Sequence, residues 1–310
     1  MTFPTLLDIA KANGSDAVVG LIDEAAQTHP ELTLGAARTI TGLNYKTLVR
    51  TAVPRGGSFR DANEGTAAKK GTYINRLVEA FIFNPWWSCD KAVADASEDG
   101  APAFIALEAG AILEGAVQDI CAQFYYGRGP NGNAKGFPGL LAAYDAANMV
   151  VDAGGTTAGA GSSVWAVRWG PKNVQWVWGL NGQLALSDVR EESVAPDAAK
   201  PTERLTAYFQ EILARPGLQV ASLLSIARIK KLTAENLRGL TDDRIADLLS
   251  RFPAGLRPDV LLMNRRSLRQ LQDSRTATNA TGAPAPFPAE AFGVPIALTD
   301  AILTTEDLAL

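Results

Sequence analysis

The sequence predicts an α+β fold, on three observations. Residues 102–125 have the periodicity of a long amphipathic helix. Two tryptophan-rich strand segments, 163–169 and 174–179, flank Gly170-Pro171-Lys172-Asn173. A buried strand, 259–264, runs directly into a second helix, 265–273. The chain's 310 residues are 47% hydrophobic and 20% charged, enough for a core and outside the disordered range. That length allows one large domain or two to three smaller ones.

The arm comes first. Residues 1–40 alternate short apolar groups with Gly14, Gly20 and Pro30. Leu6, Ile9 and Ala10, then Val18, Val19, Leu21 and Ile22, predict two short helices, the second capped by Asp16. Neither forms a core alone, so the arm is expected to lie on something else. A strand over 44–53 leads into Pro54-Arg55-Gly56-Gly57-Ser58-Phe59-Arg60 and a polar stretch, 61–71, carrying Lys69 and Lys70. This reads as a long hairpin or extended loop. Its tip has few apolar residues to pack internally, so contact outside the fold is expected to order it. Residues 72–94 read as strand.

In the long helix Leu113, Val117, Ile120 and Phe124 share one stripe, and Glu108, Gln118 and Asp119 lie opposite. At ~1.5 Å per residue it is about 36 Å long. Glu98 and Asp99 ahead of Pro102 suit its first turn, and Gly127, Gly129, Pro130 and Gly132 stop it. Phe137-Pro138-Gly139-Leu140-Leu141 and a linker, 154–162, follow. The tryptophan segments hold four of the chain's six tryptophans and read as a hairpin. Trp165 and Trp169 share a face of one strand, Trp176 and Trp178 a face of the other. Cross-strand aromatic pairs contribute roughly 0.2–1 kcal/mol each, so packing alone accounts for them. Further strands are expected at 184–194, 217–221, 226–229 and 292–302. Residues 206–214 fit helix or strand equally. Thr241 caps a helix over 242–252, Asn264 starts the helix at 265, and 283–288 is a proline-rich loop. No internal repeats are visible.

Net charge −4 and a pI near 5.2 argue against a dedicated nucleic-acid binder. Charges such as Glu108 and Glu114 interrupt the apolar stretches, so no membrane span is expected. The first eight residues lack the pattern of a signal peptide. Cys89 and Cys121, the only cysteines, read as a reducing compartment. The single histidine, His29, sits in the arm, so a Ser-His-Asp or Cys-His site has no other base to use. Cysteines and histidine lack metal-ligand spacing, and no metal or cofactor is expected. Gly127-x-Gly129-x-x-Gly132 matches the dinucleotide string, but it follows a helix and contains Pro130. Lys135-Gly136 does not make a P-loop, and Ser162 and Ser163 lack a nucleophile elbow's glycines. Asp242 with Asp243 reads as a helix N-terminus. Arg265, Arg266, Arg269 and Arg275 form a basic helix face, either a solvated or interface face or an anion contact. A large core, a loose arm, a long exposed loop and no catalytic constellation favour an assembling, structural protein.

Asp259-Val260-Leu261-Leu262-Met263-Asn264-Arg265-Arg266-Ser267-Leu268-Arg269-Gln270-Leu271 resembles the strand-Met-Asn-helix segment of the major capsid proteins of tailed bacteriophages. Phe292-Gly293-Val294-Pro295-Ile296 with Thr299-Asp300-Ala301-Ile302 looks like their Gly-x-Pro-Val segment and the aspartate after it. Tyr126-Gly127 leading to Phe137-Pro138-Gly139-Leu140 resembles the segment after their spine helix. Residues 163–170 and 220–229 are also similar to that group, so the resemblance spans nearly the whole chain.

The resemblance implies the Hong Kong-phage-type coat fold. Its parts would be an N-terminal arm (1–40), an E-loop (41–74), a P-domain strand and spine helix (75–126), an A-domain part with linker (127–162), P-domain strands (163–232) and the A-domain (233–310). In many such coats the Met-Asn and Gly-x-Pro segments precede the P-domain strands. Here they follow the tryptophan segments, which fits a permuted variant of the fold. The implied function is self-assembly into hexamers and pentamers of an icosahedral head around double-stranded DNA, with no enzymatic activity. Arg55, Phe59, Arg60, Lys69, Lys70, Arg265, Arg266 and Arg269 would touch neighbouring subunits. Implied partners are other copies of the chain, a portal, a decoration protein, packaged DNA held non-specifically and a scaffolding protein. No long charged helical segment precedes the arm, so that scaffold would be a separate chain. The implied location is the virion, after assembly in the host cytoplasm. Two alternatives stand beside this reading: an encapsulin-like compartment shell, and a cytoplasmic enzyme using Arg265 and Arg266 on an anionic small molecule.

Overall fold

The computed structural model describes residues 3–6, 8, 23–55, 57, 59–143, 148–182, 184–195, 202–280 and 282–309. Of the expected arm helices, residues 9–22 lie outside the described residues. The first strands are β1 (Ala37–Thr39), β2 (Asn44–Ala52), β3 (Thr72–Glu79) and β4 (Trp86–Asp90). The long helix Ala101–Tyr126 follows. After it come β5 (Val150–Asp152), β6 (Val164–Val167), β7 (Val174–Trp178), β8 (Arg190–Val194), β9 (Leu205–Glu211), β10 (Pro216–Val220) and β11 (Ile226–Lys230). The helix Asp242–Ser250, β12 (Val260–Met263), the helix Arg265–Ala277, β13 (Glu290–Ala291) and β14 (Val294–Leu298) follow.

The central sheet has the order β13-β14-β12-β6-β11-β5. β12 lies parallel to β14 and antiparallel to β6, and β11 lies antiparallel to β6 and parallel to β5. Both faces are covered, which is why β12 and β6 read as unbroken apolar runs. Alternate side chains point to opposite faces. Trp165, Val167, Val260, Leu262 and Ile226 pack with Ile120, Phe124 and Tyr125 of the long helix. On the other face Val164, Ala166, Leu261, Met263, Ala227 and Ile229 meet Ile245, Leu248, Leu268 and Leu271 of the two later helices. Those helices start as expected: the Thr241 hydroxyl accepts the Arg244 amide at 3.4 Å, and the Asn264 side chain accepts that of Ser267 at 2.9 Å. This single sheet takes β5 from 127–162, β6 and β11 from 163–232, and β12 to β14 from 233–310.

Two expectations need correction, and one reading left open between helix and strand is decided. The tryptophan segments are not a hairpin: β6 joins the central sheet, whereas β7 pairs with β1 (parallel) and β10 (antiparallel) in a separate sheet. The turn at Gly170, φ 131°, sends the chain around a corner. The long helix supplies the reason. Phe124 stacks on Trp169 (centroids 5.7 Å apart) and packs on Trp176 (5.1 Å), and Tyr125 lies 6.3 Å from Trp165. The tryptophans bury against that helix in preference to one another. Second, residues 206–214 are strand through Glu211, because β9 pairs antiparallel with both β4 and β8. Third, 72–94 is not all strand: Lys91–Ala94 is a helical turn whose N-cap, Asp90, accepts the Ala92 amide at 3.0 Å.

The helix stripe is also buried unevenly. Ile120 and Phe124 are buried, but Leu113 is exposed, because the sheets reach mainly the C-terminal half. Nearer its start, Phe104 packs with Trp87, Cys89 and Ala94.

Candidate assembly surface

β2 and β3 form an antiparallel ribbon from Asn44 opposite Glu79 to Ala52 opposite Thr72, with a register shift between Arg50 and Ala52. Its base is fixed. The Tyr45 hydroxyl donates to the Gln219 side chain, and Arg76 Nη1 donates to the Ala221 and Val220 carbonyls at 3.0 and 3.3 Å. Val78 packs with Ile40 and Val177. Leu48, Tyr73 and Leu77 are exposed on one face of the ribbon, and Ile74 on the other. A two-stranded ribbon is marginal alone, so this apolar row implies a covering surface from elsewhere.

At the tip every described residue from Thr51 to Lys70 is exposed, including Arg55, Arg60, Lys69 and Lys70, and the Phe59 ring is wholly in solvent. The recorded tip contacts are local: Arg60 Nη1 donates to the Glu64 carbonyl at 2.7 Å, and the Asp61 amide donates to the Glu64 carboxylate at 3.3 Å.

The basic helix face is divided. Arg265 is exposed, Arg269 pairs with Asp273 at 2.9 Å, and Arg275 grips Asp242 with two bonds of 2.7 and 2.8 Å. Arg266 turns inward. Its guanidinium donates to the carbonyls of Ala160 (2.8 Å), Thr304 (2.9 Å) and Leu232 (3.2 Å), and burial lowers its pKa. A planar fork of donors suits several carbonyls at once, and Arg266 binds three of its own subunit. Arg266, Arg269 and Arg275 are held by separate partners and do not converge on one anion.

Sequence reasoning missed the internal ties. Glu306, 2% exposed, accepts from Arg228 at 3.0 Å, Tyr126 Oη at 2.7 Å and Ser163 Oγ at 2.8 Å, and Arg228 lies 5.0 Å over the Trp165 ring. Nothing in the local tail marks Glu306 for burial. The Gln123 side chain accepts the Asn133 amide at 2.7 Å and donates to the Phe137 carbonyl at 2.7 Å. That folds the glycine segment onto the end of the long helix. There Gly127, at φ 53°, sits so close to Gly139 that a Cβ would lie 2.2 Å from the Gly139 nitrogen. The glycines therefore make a helix stop.

The arm docks on its own helix. Gln118 Nε2 donates to the Ala25 carbonyl at 3.0 Å, and Thr28 and Asp300 exchange bonds of 2.8 and 3.1 Å. Trp176 Nε1 donates to the Glu31 carbonyl at 3.0 Å, and Tyr125 Oη to the Glu31 carboxylate at 2.5 Å. This docking brings His29, Glu31 and Cys121 together, their possible ligand atoms all within 4.8 Å of one another. With the ligands some 90 residues apart, linear spacing gave no sign of the group. A cleft of about 310 Å³ lies between Phe81–Phe83 and the glycine segment. Its lining includes Asp119 and Lys135 but no histidine, cysteine or serine. Among the described residues no helix is long and apolar enough to cross a membrane.

The mixed sheet on a long helix, the projecting ribbon and the docked arm are those of the Hong Kong-phage-type coat fold. The chain belongs to the major capsid protein GP7 family, which it matches over residues 15–309. A chain in the structure of bacteriophage Epsilon15 has the same fold, with a TM-score of 0.72 at 21% identity, covering 99% of this chain and 98% of that one. Fainter likenesses extend to Mycobacterium phage Cain (TM-score 0.47, 11% identity, 71% and 93% covered). The holo-SrpI encapsulin complex of Synechococcus elongatus is equally distant (TM-score 0.46, 11% identity, 74% and 95% covered). No curated protein matches the chain.

Proposed function

We propose that this capsid protein assembles into hexamers and pentamers of an icosahedral phage head enclosing double-stranded DNA. The observation that carries the reading is the ribbon of β2 and β3: anchored at its base, with Leu48, Tyr73 and Leu77 exposed along one face, and with every described residue of its tip exposed. A neighbouring subunit supplies that cover. Arg55, Phe59, Arg60, Lys69 and Lys70 make the tip contacts, and Arg265 and Arg269 contribute from the helix Arg265–Ala277. Many weak heterologous contacts then close into a shell. In domain terms, the ribbon is the E-loop and the long helix is the spine of the P-domain with β4, β8 and β9; β6 and β11, expected among the P-domain strands, share the central sheet with β12 to β14 of the A-domain. The subunit is a building block without catalytic chemistry, residing in the virion after assembly in the host cytoplasm. A separate scaffolding protein, a portal and a decoration protein are its further partners, and DNA is held without sequence preference.

The test is deletion of residues 56–70, with negative-stain microscopy and light scattering on the product, expressed with and without the neighbouring genes. The expected result is closed shells from the intact chain and a folded subunit that forms none from the deletion. Shells from the deletion would refute the E-loop role. Purified particles are expected to hold nucleic acid; a protein cargo instead would favour the compartment reading.

A further inference from the structure

We propose that His29, Glu31 and Cys121 supply three ligands of a zinc site that pins the arm to the long helix, with a water that enters with the ion as the fourth. Three features of the group point to a ligand. Both ring nitrogens of His29 are buried and have no hydrogen-bond partner, and Glu31 Oε2 is likewise buried without one. Glu31 itself is completely buried, and Cys121 is a buried free thiol. The Thr299 hydroxyl lies beside the Glu31 carboxylate, but Oε2 remains outside the hydrogen-bonding geometry of any donor. An imidazole, a carboxylate oxygen and a thiol therefore face one another with their polar atoms buried. Such groups are normally satisfied, and unmade bonds there cost the full desolvation of each atom.

The donor set selects the ion. Nitrogen, oxygen and sulfur together suit zinc, whereas magnesium and calcium take oxygen ligands. Tetrahedral zinc with bonds of about 2.0–2.3 Å sets its ligand atoms roughly 3.5 Å apart. The atoms here lie within 4.8 Å, so an inward movement of about 1 Å closes the site. The surroundings are those of a supported site. Tyr125 Oη holds the other Glu31 oxygen at 2.5 Å, and Trp176 Nε1 fixes the Glu31 backbone at 3.0 Å. Burial, with Glu31 and Glu114 adding to it, keeps the metal-free Cys121 thiol protonated. Zinc entry therefore expels that proton.

The experiment uses the purified, metal-stripped full-length chain, titrated with Co²⁺ as an optical probe and then with Zn²⁺. The expected result is a near-ultraviolet thiolate-to-cobalt band that Zn²⁺ bleaches. Cys121→Ser is expected to abolish the band, and Cys89→Ser to keep it. His29→Gln is expected to weaken Zn²⁺ binding by more than the roughly 10–100-fold that follows loss of an outer partner. Absence of a thiolate–cobalt band in the intact chain overturns the proposal, whether or not the variants fold. So does equal metal uptake by the intact chain, Cys121→Ser and His29→Gln.

Discussion

Replacing Glu306 by alanine removes one carboxylate that three buried groups share. Arg228, 1% exposed, loses its partner at 3.0 Å, and the Tyr126 and Ser163 hydroxyls lose their acceptor at 2.7 and 2.8 Å. Arg228 keeps the face of Trp165, which partly stabilises its charge. Breaking a buried pair from one side costs about 3–5 kcal/mol, because the surviving charge stays out of water. Unfolding entropy near ~2.1 cal/mol/K per residue gives ~0.65 kcal/mol/K for 310 residues, so the melting temperature should fall by about 5–8 °C. The assay is thermal denaturation of the unassembled subunit followed by tryptophan fluorescence, with Trp165 as the local reporter. The double replacement Arg228→Met with Glu306→Leu should recover part of the loss, since an apolar pair of similar volume replaces the ions while the Tyr126 and Ser163 hydroxyls still lack their acceptor. A fall below about 1.5 °C for Glu306→Ala, near ~1 kcal/mol, would refute the reasoning.

Other perturbations have equally definite outcomes. Trp176→Ala should cost about 3–5 kcal/mol in urea denaturation. It also removes the bond to the Glu31 carbonyl, so limited proteolysis should newly cleave within residues 23–36. Gly139→Ala places a Cβ 2.5 Å from the Gln123 carbonyl and 2.6 Å from that of Phe124, and should lower stability by roughly 2–3 kcal/mol. Gly110→Ala, in open space on the same helix, should raise it by roughly 0.5–1 kcal/mol, read from the same urea curves. Glu235 is held at about 2, below its usual 4.5, first by the Thr157 hydroxyl and then, against some desolvation, by the Thr156 hydroxyl and the amides of both residues. A depressed carboxylate stabilises above its unfolded pKa, and the effect fades as pH falls from 4.5 through about 2. Hydrogen exchange at the Thr156 and Thr157 amides should therefore lose protection across that window. Glu235→Gln should show reduced protection at neutral pH and no such acid dependence.

Periodicity made the helices and the buried strand legible, because burial repeats every few residues along one element. The partner of each strand was not legible in the same way. Residues 163–179 carry every local sign of a hairpin, yet the aromatic end of the long helix offers Trp165, Trp169 and Trp176 more contact than they offer one another. The exposed loop was visible for the opposite reason: Asp61 to Lys70 contain nothing that a core could use. Arg266 looked like its neighbours on the helix wheel, and only the positions of the 160, 232 and 304 carbonyls turn it inward. Glu306 and the grouping of His29 with Cys121 depend on chain ends and a helix meeting in space. No local pattern encodes such meetings.

The ribbon of β2 and β3 is a lever. Nine residues at ~3.3 Å each give an arm of about 30 Å, held near its base by Tyr45, Arg76 and Val78. A rotation of ~10° at that base carries the far end through about 5 Å, while the packed sheets behind it stay as they are. In the proposed assembly, neighbours meeting at different dihedral angles would then be reached by the same tip residues. One gene product would in this way fill positions of unequal curvature, with the adjustment confined to a few bonds at the fulcrum.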